Sequence, residues 1–325
     1  MKRRLAVGFV IMTELITITV MVIQLYRVKQ YQSVLGAIRI SPIRKEYLLF
    51  SGDEELQYFY EPMPDINEIE KPVWLPFGVT YTINNDSLND RYTYATQKPP
   101  DVFRIITLGD SFTFGHFVNT SENWTEKLED TLNTGPNCPR KYEVINLGVR
   151  GYDIHYAVQR FLRRGKKYNP DLVIWLLKDD DFLEINEKTT ETESEILKSI
   201  DNGTDPLDYK NYYDVRGAAI DAFNEQYDAR IRVNQQEAFV SDLITSYQGP
   251  VLIASFRTLG TQFRQLINLW STEYPQIRFF GDIPDIYTYN ESFRPNDFHP
   301  NPQGHTIIAR DLYRYLGENK MITCY

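Results

Sequence analysis

Cysteine and histidine are scarce. The 325 residues hold two of the first, Cys138 and Cys324, and four of the second. No C-x-x-C pair and no H-E-x-x-H helix occurs, which removes the usual zinc frameworks and leaves no metal or cofactor to expect. For the cysteines two readings stay open: a disulfide tying the C-terminus to a loop in an exported domain, or two separate thiols. Concentrated positive charge is also missing. Thirty-five Lys and Arg face 44 Asp and Glu, for a net charge of -9, and form no long stripe. That excludes a nucleic-acid partner, since phosphate binding needs clustered cations. Apolar residues are not lacking: they make up 42% of the chain, with 14% aromatics, enough for a sizeable core.

Long hydrophobic runs are absent except at one place. Leu5 to Tyr26 is a 22-residue stretch whose only charge is Glu14. It matches the roughly 20 residues of a membrane-spanning helix and exceeds the apolar core of a cleaved signal. Glu14 costs about 2.5–3.5 kcal/mol at a helix centre, and the surrounding Leu, Val, Ile and Met offset much of it. Lys2, Arg3 and Arg4 favour a cytoplasmic N-terminus. Residues 1–29 are therefore expected to be a single-pass membrane anchor, with the rest of the chain outside the cytoplasm.

Residues 30–100 read as a linker and a small β-containing lead-in, rich in proline, with Tyr81-Thr82-Ile83 alternating like a short strand. From residue 101 the rhythm becomes regular. Strands are expected at Arg104–Leu108, Tyr142–Leu147, Leu172–Leu177, Pro250–Phe256 and Ile277–Phe280. Helices are expected at Ser121–Asn133, capped by Ser121, at Gln262–Tyr274 and at Gly304–Leu316, with a helical face from Ile154 to Leu162. Strands alternating with helices imply right-handed βαβ units and a three-layer α/β/α sandwich over 101–325. Residues 185–247 interrupt the rhythm and read as an insertion, either a lid over the strand ends or a surface loop and outer helix.

The chemistry-bearing residues fall just beyond the expected strands. Gly109-Asp110-Ser111 ends the first, placing a hydroxyl at the sheet edge where nearby N–H groups can bind an anion. A serine nucleophile needs a base and an orienter for that base. His299 is the candidate base. Asp297 is close enough to hold one imidazole nitrogen, and Asn296 stands beside it. Gly151 closes the loop after the second strand, where a missing Cβ lets a backbone N–H approach a ligand. Asp179, Asp180 and Asp181 follow the third strand. His305 is read as starting or packing the last helix, and His116 and His155 as surface or satisfied polar residues. Asp110 is read as a loop-backbone acceptor.

Taken in order, these blocks resemble those of the SGNH, or GDSL-like, hydrolases. Leu108-Gly109-Asp110-Ser111 is similar to that family's nucleophile block, Asn146-Leu147-Gly148-Val149-Arg150-Gly151 to its glycine block, and Asp297-Phe298-His299-Pro300-Asn301 to its final block. The resemblance implies a parallel flavodoxin-like sheet, Ser111 as nucleophile, His299 as general base, and an oxyanion hole made by the Ser111 and Gly151 N–H groups. It also implies a carboxylic ester hydrolase, with small acyl groups on carbohydrate or cell-envelope material as substrates. Two alternatives share the fold: an O-acyltransferase, and a non-catalytic binding or scaffold protein. Two departures bear on them. The family's third oxyanion donor is an Asn amide, and its position here falls on Asp180, which could donate only if protonated. The orienting Asp commonly precedes the His by three residues, where Asn296 stands; Asp297 is the expected orienter because Asn cannot stabilise an imidazolium by charge.

Overall fold

The structure, a computed structural model, describes residues 48–50, 55–134, 140–200, 209–226, 229–286 and 290–322. The stretch expected to span a membrane, Leu5–Tyr26, lies outside these residues, as do Cys138 and Cys324. Among the described residues no helix is long and apolar enough to cross a membrane. The described residues fall into two compact units: Thr189–Glu225, and those within Glu46–Lys188 and Gln226–Tyr325.

The larger unit begins with two antiparallel pairs, β1 (Leu48–Phe50) with β2 (Tyr60–Pro62), and β3 (Ile66–Glu70) with β4 (Val79–Ile83). Five parallel strands follow: β5 (Val102–Leu108), β6 (Lys141–Asn146), β7 (Leu172–Leu176), β8 (Val251–Phe256) and β9 (Ile277–Ile283). Their spatial order is β6-β5-β7-β8-β9. This is the doubly wound arrangement in which the chain leaves the first strand in one direction and returns on its other side. Ligands bind such sheets beyond the strand C-termini at that reversal, here between β5 and β7. The observed strands coincide with the expected ones to within a residue or two, except β9, which continues three residues further.

In chain order the helices are α1 (Ser111–Phe114), α2 (Trp124–Asn133), α3 (Ile154–Arg160), α4 (Asn186–Ile200), α5 (Tyr209–Gln226), α6 (Ala229–Ser246), α7 (Thr261–Glu273) and α8 (Pro302–Glu318). Alternation along each strand divides the core into two layers. Ile105, Ile174 and Leu252 pack with Trp124, Leu128 and Leu132 of α2 and Ile308, Leu312 and Leu316 of α8. Ile106, Val173 and Ile253 face the other way, onto Val158 of α3, Val240 and Leu243 of α6, and Ile267 and Trp270 of α7. The last helix of the segment expected as an insertion, α6, is thus part of a sandwich layer. Its apolar stripe is partly masked in sequence by the polar run before it.

One capping expectation is corrected. Ser121 lies inside a 3-10 turn, Thr120–Glu122, and the N-cap of α2 is Asn123, whose side chain accepts from Glu126 N–H at 3.0 Å. Both Ser and Asn suit that position, and the turn at 120–122 shifts the helix start by three residues. His305 packs as expected. It is buried in α8, and its Nδ1 accepts the Trp124 N–H at 3.1 Å, one of the orphan donors of the α2 N-terminus. Burial holds its pKa down at about 3, so the ring is neutral.

Candidate active site

Ser111 reaches the sheet edge through a turn that requires glycine. Gly109 follows β5 with φ +147°, and a Cβ there would lie 2.9 Å from the Leu176 carbonyl. Asp110 then caps α1, its Oδ1 accepting the Phe112 N–H at 2.9 Å. The Ser111 N–H is one of the first donors of a helix and has no place in its ladder. Asp110 is thereby the loop-backbone acceptor the sequence suggested, although its second oxygen has other partners.

His299 comes from the loop between β9 and α8. The loop is held by a bridge between Ser292 and Pro300 and by the Phe293 N–H donating to the His299 carbonyl at 3.1 Å. Across 188 positions of sequence, His299 Nε2 lies 2.8 Å from Ser111 Oγ. Its Nδ1 lies 2.6 Å from Asp297 Oδ1, which also accepts the His299 N–H at 2.8 Å. That contact fixes the tautomer: Nδ1 carries the proton, and Nε2 is free to accept the Ser111 proton. Burial pushes the Asp297 carboxyl up, but the hydrogen bonds and charge of His299 outweigh it, and its pKa ends below the ordinary value. Asn296 is exposed and lines a neighbouring cavity, and the residue in contact with the imidazole is Asp297.

The glycine-block loop is anchored from several sides. Asn146 accepts the Gly148 N–H at 2.9 Å, Tyr60 OH donates to the Arg150 carbonyl at 2.6 Å, and Asn186 Nδ2 donates to the Gly151 carbonyl at 2.5 Å. Gly151 itself sits at φ +74°, in the left-handed region that a side chain would strain. The lead-in thus helps set the Gly151 peptide. Arg150 adds to this: it is buried and reaches Glu68 at 2.9 Å and Glu70 at 3.3 Å, both on β3.

Of the two readings the sequence left for His116, surface or satisfied polar residue, the structure matches the second. It is buried, stacked on Phe117 at 3.7 Å, and edge-on to His299 at 4.8 Å, with Glu70 Oε2 3.2 Å from its Nε2. Burial lowers its pKa to about 4 despite Glu70, which keeps a neutral ring beside His299. The sequence signal that could have found it is proximity: five residues past Ser111, it emerges from the one-turn helix α1 under the same loop. His155 is half-buried and stacks on Phe239 at 3.9 Å, away from these groups.

Asp180 is not a protonated donor. Its carboxylate is exposed and lies 2.7 Å from Lys178 Nζ. The surrounding protein pushes its pKa up and Lys178 pulls it down further, leaving it below the ordinary value. At neutral pH it has no proton to give. The neighbouring Asp181 is the buried one. It accepts the Lys178 N–H at 2.6 Å, and burial drives its pKa well up. Asp179 accepts the Gly260 N–H at 2.8 Å. Among the described residues no group of three or more His, Cys, Asp or Glu is placed to hold a metal ion.

A family model for the GDSL-like lipase/acylhydrolases matches residues 105–312. The chain belongs to this family and, with it, to the carboxylic ester hydrolases. No curated protein matches the chain. Among solved structures it is similar to the psychrotrophic esterase EstA from a Pseudoalteromonas species, at 14% identity over 67% of this chain and 99% of that one, with a TM-score of 0.42. It is similar to a two-domain esterase (CEX) active on acetylated mannans at 17% identity over 68% and 51%, with a TM-score of 0.44. A family 3 carbohydrate esterase from Clostridium thermocellum matches at 13% identity over 67% and 96%, with a TM-score of 0.39.

Proposed function

We propose that this chain is a membrane-anchored serine esterase that removes small acyl groups from carbohydrate or cell-envelope esters outside the cytoplasm. The observation that carries the chemistry is the continuous contact from Ser111 Oγ through His299 to Asp297, at 2.8 and 2.6 Å. In this reading Ser111 Oγ attacks the ester carbonyl carbon while His299 Nε2 takes its proton. The carbonyl π pair moves onto oxygen, and the oxyanion is met by the Ser111 and Gly151 N–H groups. Collapse breaks the bond to the alcohol, which leaves with the His299 proton. Water, deprotonated by the same nitrogen, then attacks the acyl-serine, and the acid departs as the Ser111 hydroxyl is restored. Asp297 holds the ring and balances the imidazolium.

A cavity beside this site supports a bulky alcohol portion. It measures about 530 Å³ and is lined by Trp74, Phe77, Phe117 and Phe293, with Glu122 and Asn296 among its polar groups. Phe117 forms its wall toward the site, its ring 5.5 Å from that of His299. Aromatic faces interleaved with polar groups suit a sugar ring, which presents C–H faces and hydroxyl edges. Truncating Trp74 to Ala is expected to raise KM for an acetylated oligosaccharide about tenfold or more by removing one large buried aromatic contact, while hydrolysis of a small aryl acetate stays within about twofold. An equal loss on both substrates would contradict the sugar assignment.

Membrane attachment rests on the apolar stretch Leu5–Tyr26 and the Lys2-Arg3-Arg4 cluster before it. Protease added to intact cells is expected to degrade the region after residue 30. Complete protection would overturn the proposed topology.

A further inference from the structure

Lys178 stands two residues beyond the end of β7, on the far side of the topological switch point from Ser111. Its side chain is only 4% exposed. The ammonium lies 2.7 Å from Asp110 Oδ2, 2.7 Å from Asp180 Oδ1 and 4.7 Å from the centre of the Phe112 ring. The same Asp110 Oδ2 is 3.2 Å from Ser111 Oγ. A single carboxylate oxygen therefore separates the cation from the proposed nucleophile.

Burying a lysine costs side-chain entropy and desolvation. Its pairing with Asp180, whose side chain is 61% exposed, returns little of that. A salt bridge built only for stability would not need to sit against the reacting hydroxyl. The charges explain the placement better. Without Lys178, the Asp110 carboxylate beside Ser111 Oγ would carry an uncompensated negative charge into a site where negative charge develops on the substrate carbonyl oxygen during attack. Asp180 also occupies the position where the family resemblance expects a neutral amide donor.

We propose that Lys178 is the third oxyanion-stabilising group of this site, its ammonium replacing the missing amide. The inference rests on the serine-esterase reading above. Lys178 keeps its three protons throughout. The electrons gained by the carbonyl oxygen come from the C=O π bond, the transferred proton stays on the Ser111–His299 path, and the cation contributes its field alone. Asp110 and Asp180 hold it in place between them.

Four proteins test this on a small aryl acetate: the parent chain, Lys178→Met, Asp180→Asn and the double variant, each with its melting temperature. Loss of one oxyanion group is expected to lower kcat in Lys178→Met by about 10²–10³-fold, with KM little changed. Asp180→Asn removes a negative charge and adds an amide, so its kcat should exceed that of the parent. In the double variant the amide should recover at least about tenfold of the activity lost in Lys178→Met, a rescue that a purely structural lysine does not predict. Full activity in Lys178→Met, or a folded double variant no better than it, would overturn the proposal. Should Lys178→Met fail to fold, the neutral polar Lys178→Gln takes its place, with the same expected loss in kcat and with full activity as the contradicting result. A parent chain that neither hydrolyses the ester nor reacts with a fluorophosphonate would instead remove the esterase reading itself.

Discussion

Replacing Ser111 with Ala is expected to abolish hydrolysis of a small aryl acetate, with kcat falling by about 10⁴-fold or more. The size follows from the proposed mechanism. Without Oγ no acyl-enzyme forms, and only the oxyanion donors and substrate positioning remain, which together leave a weak residual rate. Folding should not confound the result. The change removes one oxygen from a side chain at the head of α1, and the helix cap comes from Asp110, which accepts the Phe112 N–H whatever residue 111 carries. The melting temperature should therefore stay close to that of the parent while activity disappears. Activity retained in this variant would remove Ser111 from the chemistry.

Asp297→Asn should cost about as much, roughly 10⁴-fold in kcat, with the geometry nearly unchanged. Asp297 Oδ1 accepts from both the backbone and the ring of His299. An amide of the same shape fills the space but carries no charge to balance the imidazolium, and it can present an N–H that selects the wrong tautomer. The neighbouring Asn296 offers a control. Because Asp297 is the residue in contact with the ring and Asn296 lines the cavity, moving the acid there in an Asn296→Asp, Asp297→Asn double variant should restore nothing. Recovery in that protein would show that the orienting position had been taken one residue too far along.

How far the sequence could be read depended on whether each feature is local. The strands of the large sheet are short β-branched or apolar runs, the first two closing at Gly109 and Asn146, and the parallel sheet with its functional residues beyond the strand ends follows from the βαβ rhythm. Asp297 was legible because it stands only two positions before His299. Contacts made between distant segments were not. Lys178 stands at the head of an acidic run, yet it points back to an acid 68 positions earlier because β5 and β7 are neighbours. His116 is buried by Phe117 and by Glu70 from β3, and the register that brings β3 there depends on tertiary packing. The lone cation in Leu177-Lys178-Asp179-Asp180-Asp181 was the available clue.

The same contact changes the meaning of Asp180. An acid in place of an amide argues for a site that has lost its function if the acid stands alone. Paired with Lys178, a cation it shares with Asp110, its charge is partly balanced, and the argument for a non-catalytic scaffold is weakened.

The central claim is that Ser111 is an activated nucleophile. The most direct measurement is the mass of the intact chain after exposure to a fluorophosphonate, followed by peptide mapping. The account predicts one phosphonyl adduct, located on Ser111 and missing from the Ser111→Ala variant. A folded parent chain that remains unmodified, or carries its adduct elsewhere, would contradict it.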